Sequence, residues 1–334
     1  MQTCDHPVDP SGVADRTIAG SLVTIPENLD SWNTFSSADD ASRRSRGARL
    51  IAMDASPTAG RSTDEIMRIG LDLGGMTDVP GDSAIYVPGG ALRRVMMGID
   101  IGSAELQLAK SLGVDGVIAH HPAGGAAELG FTRVLSRQID LLVESGVSMA
   151  RARDVVQPRI AALLLRAQAA NHDHVPSVAR LLDLPFLNVH LPLDEAGRQL
   201  MNQAIDRHVA GLEREPLVSD VVDALRSIPE IRDAPTRVMV PVGRLDNRAG
   251  KVVVFHGAGT NGGFAVAEAL FAHGVGTVIY IHLAPDDAER LRALPRSDVN
   301  VVVSGHIASD MIGINLFVAQ LERRGVAVVR MSGL

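Results

Sequence analysis

The sequence predicts an α/β fold on three observations. Short runs rich in valine and isoleucine alternate with amphipathic stretches of 8–18 residues, the pattern of repeating βα units. Glycine, proline and acidic residues punctuate the boundaries where such elements start and stop. No internal period of solenoid length recurs, which excludes a repeat architecture.

Taken in order, residues 1–60 differ from the rest. Stretches such as SSADDASRRSRGAR (36–49) carry no sustained apolar period and predict an irregular, poorly ordered N-terminal extension. The first helix is predicted over 63–75, TDEIMRIGLDLGG, with Asp64 and Glu65 in its opening turn and Gly74–Gly75 as its stop. Strands are predicted at 94–100, 115–120, 185–190, 236–242, 251–256, 276–282, 299–306 and 326–332, from β-branched runs of six to eight residues. Amphipathic helices are predicted at 103–112, 131–145, 154–170, 194–211, 217–226, 262–273, 286–293 and 310–324. The polar, proline-containing stretch 212–235 divides the chain into a first lobe (61–211) and a second (236–334).

Composition narrows the function. Hydrophobic residues at 46% support a sizeable core, while aromatics at 3% leave it to aliphatic side chains and methionine. Scarce aromatics and a net charge of −7 offer neither stacking platforms nor a basic footprint, so direct nucleic-acid binding is not expected. Cys4 is the sole cysteine, which excludes disulfide frameworks and cysteine-based zinc sites. No apolar run reaches the roughly 18–20 residues of a membrane span and no secretory h-region is present. A soluble, cytoplasmic protein is expected.

Histidines carry the chemistry. His120 (with His121), His190, His256, His282 and His306 each close a predicted strand, at the sheet edge where α/β proteins place ligands. Three are followed four residues later by aspartate: His190/Asp194, His282/Asp286 and His306/Asp310. Taken singly, each aspartate also suits a helix N-terminus, and a lone strand-end histidine also suits a hydrogen-bonded core. Gathered at one edge, several imidazoles and carboxylates call for a cation. The ligands would be nitrogen and oxygen, which suit Zn, Mn, Fe, Co or Ni. Their number exceeds what one tetrahedral ion takes, so two divalent metal ions per chain are expected, activating water for hydrolysis.

A competing motif follows the strand at 251–256. HGAGTNGG contains GxGxxG as Gly257, Gly259 and Gly262, the spacing of a dinucleotide-binding turn. The acid that should end the next strand is replaced by Tyr280-Ile281-His282, which disfavours an NAD(P)-dependent oxidoreductase. The loop remains open to two readings, an anion-binding turn or a tight strand-to-helix connection that requires glycine.

IAHHPAGG (118–125), NVHLPLDEA (188–196) and VVVSGHIASDMIGINLF (301–317) resemble the three metal motifs of the Ngg-interacting-factor-three-like family, whose members are labelled type-two GTP cyclohydrolase I homologues. PGDSAIYVPGG (80–90) and GIDIGSAELQLAKSLGVDGVIAHHP (98–122) are also similar to that family, and the resemblance covers residues 62–334. It implies two intertwined α/β lobes with a metal cleft between them and a toroidal homohexamer built from dimers. The implied ligands are His120, His121, Asp194, His306 and Asp310, with His190 in or beside the set and Asp194 bridging. Asp310 stands where many members carry glutamate, a side chain longer by one methylene. His256 or His282 would shuttle protons in a GTP cyclohydrolase-like hydrolysis of a cyclic amidine C–N bond in a nucleotide-like small molecule. The alternative is a non-catalytic metal-binding or metal-delivery protein.

Overall fold

The computed structural model describes residues 60–257, 259 and 261–334. The reading of residues 1–60 as an irregular extension therefore lies, apart from Gly60, outside the described residues. Helix α1 (Thr63–Gly74) opens the described chain with a reciprocal cap. Ser62 Oγ accepts from the Glu65 amide at 3.1 Å, and the Glu65 carboxylate accepts from the Ser62 amide at 2.8 Å. Gly75, at φ +67°, ends it in the left-handed conformation.

There follow β1 (Ala84–Val87), β2 (Arg94–Gly98), α2 (Ser103–Ser111), β3 (Gly116–Ala119), α3 (Gly125–Gly130), α4 (Ser136–Glu144), α5 (Met149–Ala167), α6 (His174–Leu181), β4 (Phe186–Asn188) and α7 (Leu191–Ala210). A short 3-10 turn, Phe131–Leu135, precedes α4. The chain continues through α8 (Val218–Arg226), α9 (Pro229–Arg232), β5 (Met239–Val242), β6 (Lys251–Phe255), α10 (Gly263–Ala272), β7 (Val275–Tyr280), α11 (Pro285–Arg292), β8 (Asn300–Val303), α12 (His306–Arg323) and β9 (Ala327–Arg330).

Two sheets form, as an α/β chain with two lobes requires. The first has the order β1-β4-β3-β2-β9, parallel except for the edge strand β1. The second has the order β5-β8-β7-β6, parallel except for the edge strand β5. Registers bring strand ends level. Ala119 pairs with Asn188, and Tyr280 pairs with both Phe255 and Val303. Each histidine that follows these ends is thereby delivered to one edge of its sheet.

Helices α7 and α12 join the two sheets. Leu193, Ile314 and Phe317 pack in a core with Met97, Ile118 and Leu187 of the first sheet. Met201, Ile205 and Ile312 pack in another with Val254, Ile279 and Val302 of the second. Burial of aliphatic area on both sides, at about 25 cal/mol per Å², holds the pair between the layers. The two helices meet at Gly313, where an added Cβ would overlap the Leu193 backbone. Glycine there permits the approach that brings the N-terminal turns of both helices together.

Several elements depart from the sequence expectation. Strand β1 and helices α3, α6 and α9 were not expected; all are short, below the length at which periodicity distinguishes an element. Helix α5 starts at Met149 and runs through Pro158. Its serine cap, Ser148 Oγ accepting from the Arg151 amide, lies upstream of the apolar period. The final strand, read with the second lobe (236–334), pairs with β2 in the first sheet instead. Helix α12 packs on α7 and α1 and so carries the chain back across the boundary. Among the described residues no helix is long and apolar enough to cross a membrane.

Candidate metal centre

The carboxyl ends of β3 and β4 in the first sheet and of β6, β7 and β8 in the second deliver histidines to one region. His120 and His121 follow β3, and His190 is the N-cap of α7. His306 opens α12. Asp194 and Asp310 stand one turn into α7 and α12. Those helices start at Leu191 and His306, three and four residues earlier than expected. Pro192 in the first turn of α7 presets the backbone there. Each His/Asp pair thus spans one helical turn, which puts both side chains on one face.

Three of the imidazoles are anchored in the same sense. His120 Nδ1 donates to the Val189 carbonyl at 3.0 Å, His121 Nδ1 to Asp100 at 2.8 Å, and His190 Nδ1 to Asp82 at 2.7 Å. Donation from Nδ1 places the lone pair of each neutral ring on Nε2, the arrangement in which an outer carboxylate or carbonyl orients a metal ligand.

Those Nε2 atoms face the two carboxylates. His120 Nε2 lies 3.1 Å from Asp194 Oδ1 and 3.8 Å from Asp310 Oδ2. His190 Nε2 is 3.6 Å from Asp194 Oδ2. His121 and His306 Nε2 are 3.4 and 3.3 Å from Asp310 Oδ2. Three overlapping groups could each hold a metal ion: His120/His121/His190, His121/His306/Asp310 and His120/Asp194/Asp310.

The donors fit a cation. His120 Nε2, Asp194 Oδ1, His256 Nε2 and Asp310 Oδ2 are buried and none makes a hydrogen bond. Each such atom costs about 1–3 kcal/mol if left unsatisfied. A lone pair 3.1 Å from a carboxylate oxygen is repulsive unless a cation lies between them or the ring takes a second proton. Bonds of about 2.0–2.1 Å around a tetrahedral ion place neighbouring ligand atoms about 3.3 Å apart, and the observed spacings bracket that value.

Electrostatics within the cluster follow from the same packing. Burial disfavours charge on His190, but the Asp194 and Asp82 carboxylates override it and raise its pKa to about 10. For Asp194, burial is outweighed by His190, His256 and His120, which hold the carboxyl well below its usual range. Asp310 is likewise lowered against burial, by the adjacent His121 imidazole and by His120. In His121 burial is outweighed by Asp310 and Asp100, and the pKa rises. Burial, reinforced by a neighbouring imidazole in each case, lowers His282 and His306.

A cavity of about 240 Å³ opens onto the cluster, lined by His121, His190, Asp194, His256, His282 and His306 with Phe131, Phe255 and Ile281. His256 is almost fully buried, its Nε2 4.0 Å from both Asp194 Oδ1 and Asp310 Oδ1. It therefore sits against the carboxylate pair and not apart from the other imidazoles. His282 is exposed on the wall. The Asn261 amide nitrogen lies 2.6 Å from its Nδ1 and 2.9 Å from its carbonyl oxygen. Donation to Nδ1 leaves the proton of the neutral ring on Nε2. The third spacing pair separates: Asp286 is an exposed first-turn acid of α11, outside every candidate metal group.

Glycines 257 and 259 take positive φ, +68° and +76°, and Gly262 caps α10. A Cβ on Gly259 would press on Val134 and approach Phe131, so the turn must be bare to close against the cavity wall. Strand β7 ends without an acid, as the sequence reading required.

Sequence reasoning missed Asp82, Asp100, Arg159 and Phe131. Asp82 lies in the PGDS stretch, where an acid between turn residues was the available signal; Asp100 and Arg159 carry none, because what they face is set by sheet register and helix packing.

The chain matches no protein-family model and no curated protein. Among solved structures, it is similar to a NIF3 superfamily protein from Sphaerobacter thermophilus, with 59% identity and a TM-score of 0.80 over 83% of this chain and 100% of that one. It also matches reduced HcgD from Methanocaldococcus jannaschii at 11% identity and a TM-score of 0.47, over 81% and 98% of the two chains. TTHA1606 from Thermus thermophilus matches at 16% identity and a TM-score of 0.47, over 80% and 97%.

Proposed function

The chain belongs to the NIF3 superfamily, and from that premise we propose that it holds two divalent metal ions and acts as a metal-dependent hydrolase on a nucleotide-like small molecule. The observation that carries this reading is the set of four buried, hydrogen-bond-deficient atoms on His120, Asp194, His256 and Asp310. Six donors, His120, His121, His190, Asp194, His306 and Asp310, exceed the needs of one tetrahedral ion. Asp194 faces His120 through one oxygen and His190 through the other, which suits it to a bridging role.

Bound divalent ions would supply activated water and a clamp for developing negative charge. The protein's own groups do the remainder. Phe131, Phe255 and Ile281 wall the cavity with apolar surface against which the uncharged part of a substrate can rest. His282, with its proton on Nε2, can donate to an oxygen or nitrogen of the substrate. His256, enclosed beside both carboxylates, can hold a proton released nearby. A GTP cyclohydrolase-like opening of a cyclic amidine is the reaction we assign to this set.

A second reading is favoured by the 39% exposure of the His306 side chain: a ligand open to solvent suits an exchangeable ion and a metal-delivery role. The homohexamer is likewise proposed, supported by Leu165 and Leu181, which are 74% and 88% exposed and would be covered in an assembly.

The test is metal analysis of untagged protein, wild type beside a His120→Ala/Asp194→Ala double variant. About two metals per chain in the wild type, lost in the variant, supports the dinuclear site and directs a screen of nucleotide hydrolysis with that metal. Wild type that stays metal-free after reconstitution overturns it. Full metal content without turnover of any nucleotide favours delivery.

A further inference from the structure

Resting on that reading, we infer that Arg159 of α5 is the anchor for an oxyanion, a phosphate or carboxylate group, of the ligand that enters the metal cavity. Arg159 lines the cavity together with His282 and His306. It is close enough to His282 to oppose protonation of that ring. Its guanidinium makes no hydrogen bond or ion pair among the described residues, although the exposed arginines of this chain commonly pair with carboxylates, as Arg180 does with Asp173 and Arg244 with Asp246.

Arg159 is exposed and lines the cavity, and its guanidinium presents a planar fork of donors that matches a carboxylate or phosphate. Phe131, whose ring centroid lies 6.1 Å from that of His190, also lines the cavity, so the rest of the ligand meets apolar and aromatic surface. The volume, about 240 Å³, is below the roughly 300 Å³ at which pockets for drug-sized molecules begin. It therefore takes a small phosphorylated or carboxylated molecule, or the anionic end of a larger one. Without cations the Asp194 carboxylate that lines the cavity repels such a ligand, so Arg159 serves the metal-loaded protein.

The experiment is calorimetric titration of the metal-loaded full-length protein with inorganic phosphate, and separately with acetate, which tells the two oxyanions apart. Loss of a charge-assisted hydrogen-bonding partner predicts that Arg159→Gln weakens binding of the preferred anion about tenfold or more, while Arg159→Lys retains part of it. Arg166→Gln, in the neighbouring groove beside Glu128, leaves affinity unchanged. Metal content is read on the same samples. Wild type that holds metal yet binds neither anion better than Arg159→Gln overturns the Arg159 assignment and leaves the metal reading standing. Wild type that takes up no metal overturns both.

Discussion

Replacing Asp82 by asparagine removes one charge from a buried contact of the centre and changes little else. The carboxylate is fully buried, accepts from His190 Nδ1 at 2.7 Å, and is flanked by Ser83, whose hydroxyl accepts from the His190 amide at 2.9 Å. Its charge is one of three, with those of Asp194 and Asp310, that outweigh burial and raise His190 to about 10. Asparagine fills the same space and its carbonyl can still accept from Nδ1, so the fold should persist. The anionic partner that makes Nε2 a stronger donor is lost. Outer partners of this kind are worth about 10- to 100-fold in metal affinity, or about 1.4–2.7 kcal/mol. A chelator-competition titration of wild type and Asp82→Asn measures this directly. Affinities within twofold of each other, with the variant folded, would refute the claim that Asp82 orients a ligand and would remove His190 from the metal set.

Two more outcomes are expected. In metal-stripped protein His190 has a folded pKa of about 10 against about 6.5 unfolded. Its contribution to stability is full below the unfolded value and declines as pH rises through the window between them. Thermal melts of stripped protein should therefore fall from neutral to alkaline pH, and Asp82→Asn should flatten that slope; equal slopes would sink the assignment. Gly313→Ala should destabilise the chain by about 1–3 kcal/mol or more, because the Cβ meets the Leu193 backbone. It should also lower metal content by parting Asp194 from Asp310, and a variant that melts and binds metal like wild type would show that the two helices do not need this approach.

Much of the fold was legible in the sequence. Every strand that carries a site histidine was expected within a few residues, because β-branched runs bounded by turn residues are local signals. The His190/Asp194 and His306/Asp310 pairs were legible for the same reason, since a four-residue spacing is one helical turn. The equally spaced His282/Asp286 pair was not separable from them. Asp286 leaves the cluster because Pro285 starts α11 three residues after His282, a difference of helix entry that spacing does not express. The sequence places His256 outside the ligand set, and it belongs to no candidate metal group, but its Nε2 is 4.0 Å from both carboxylates, a position that only the packing of α7 and α12 between the sheets reveals.

By itself the sequence determined the α/β class and the placing of imidazoles at strand ends with carboxylates one turn downstream. All of these depend on neighbours within a few residues. Tertiary structure decided which edges face each other, that the last strand returns to the first sheet, and which polar groups stand behind the histidines. Asp82 is 108 residues from His190, and the Val189 carbonyl is 69 from His120. Contacts of that separation are set by sheet register and by the burial of α7 and α12 on two faces at once, for which a local pattern carries no record.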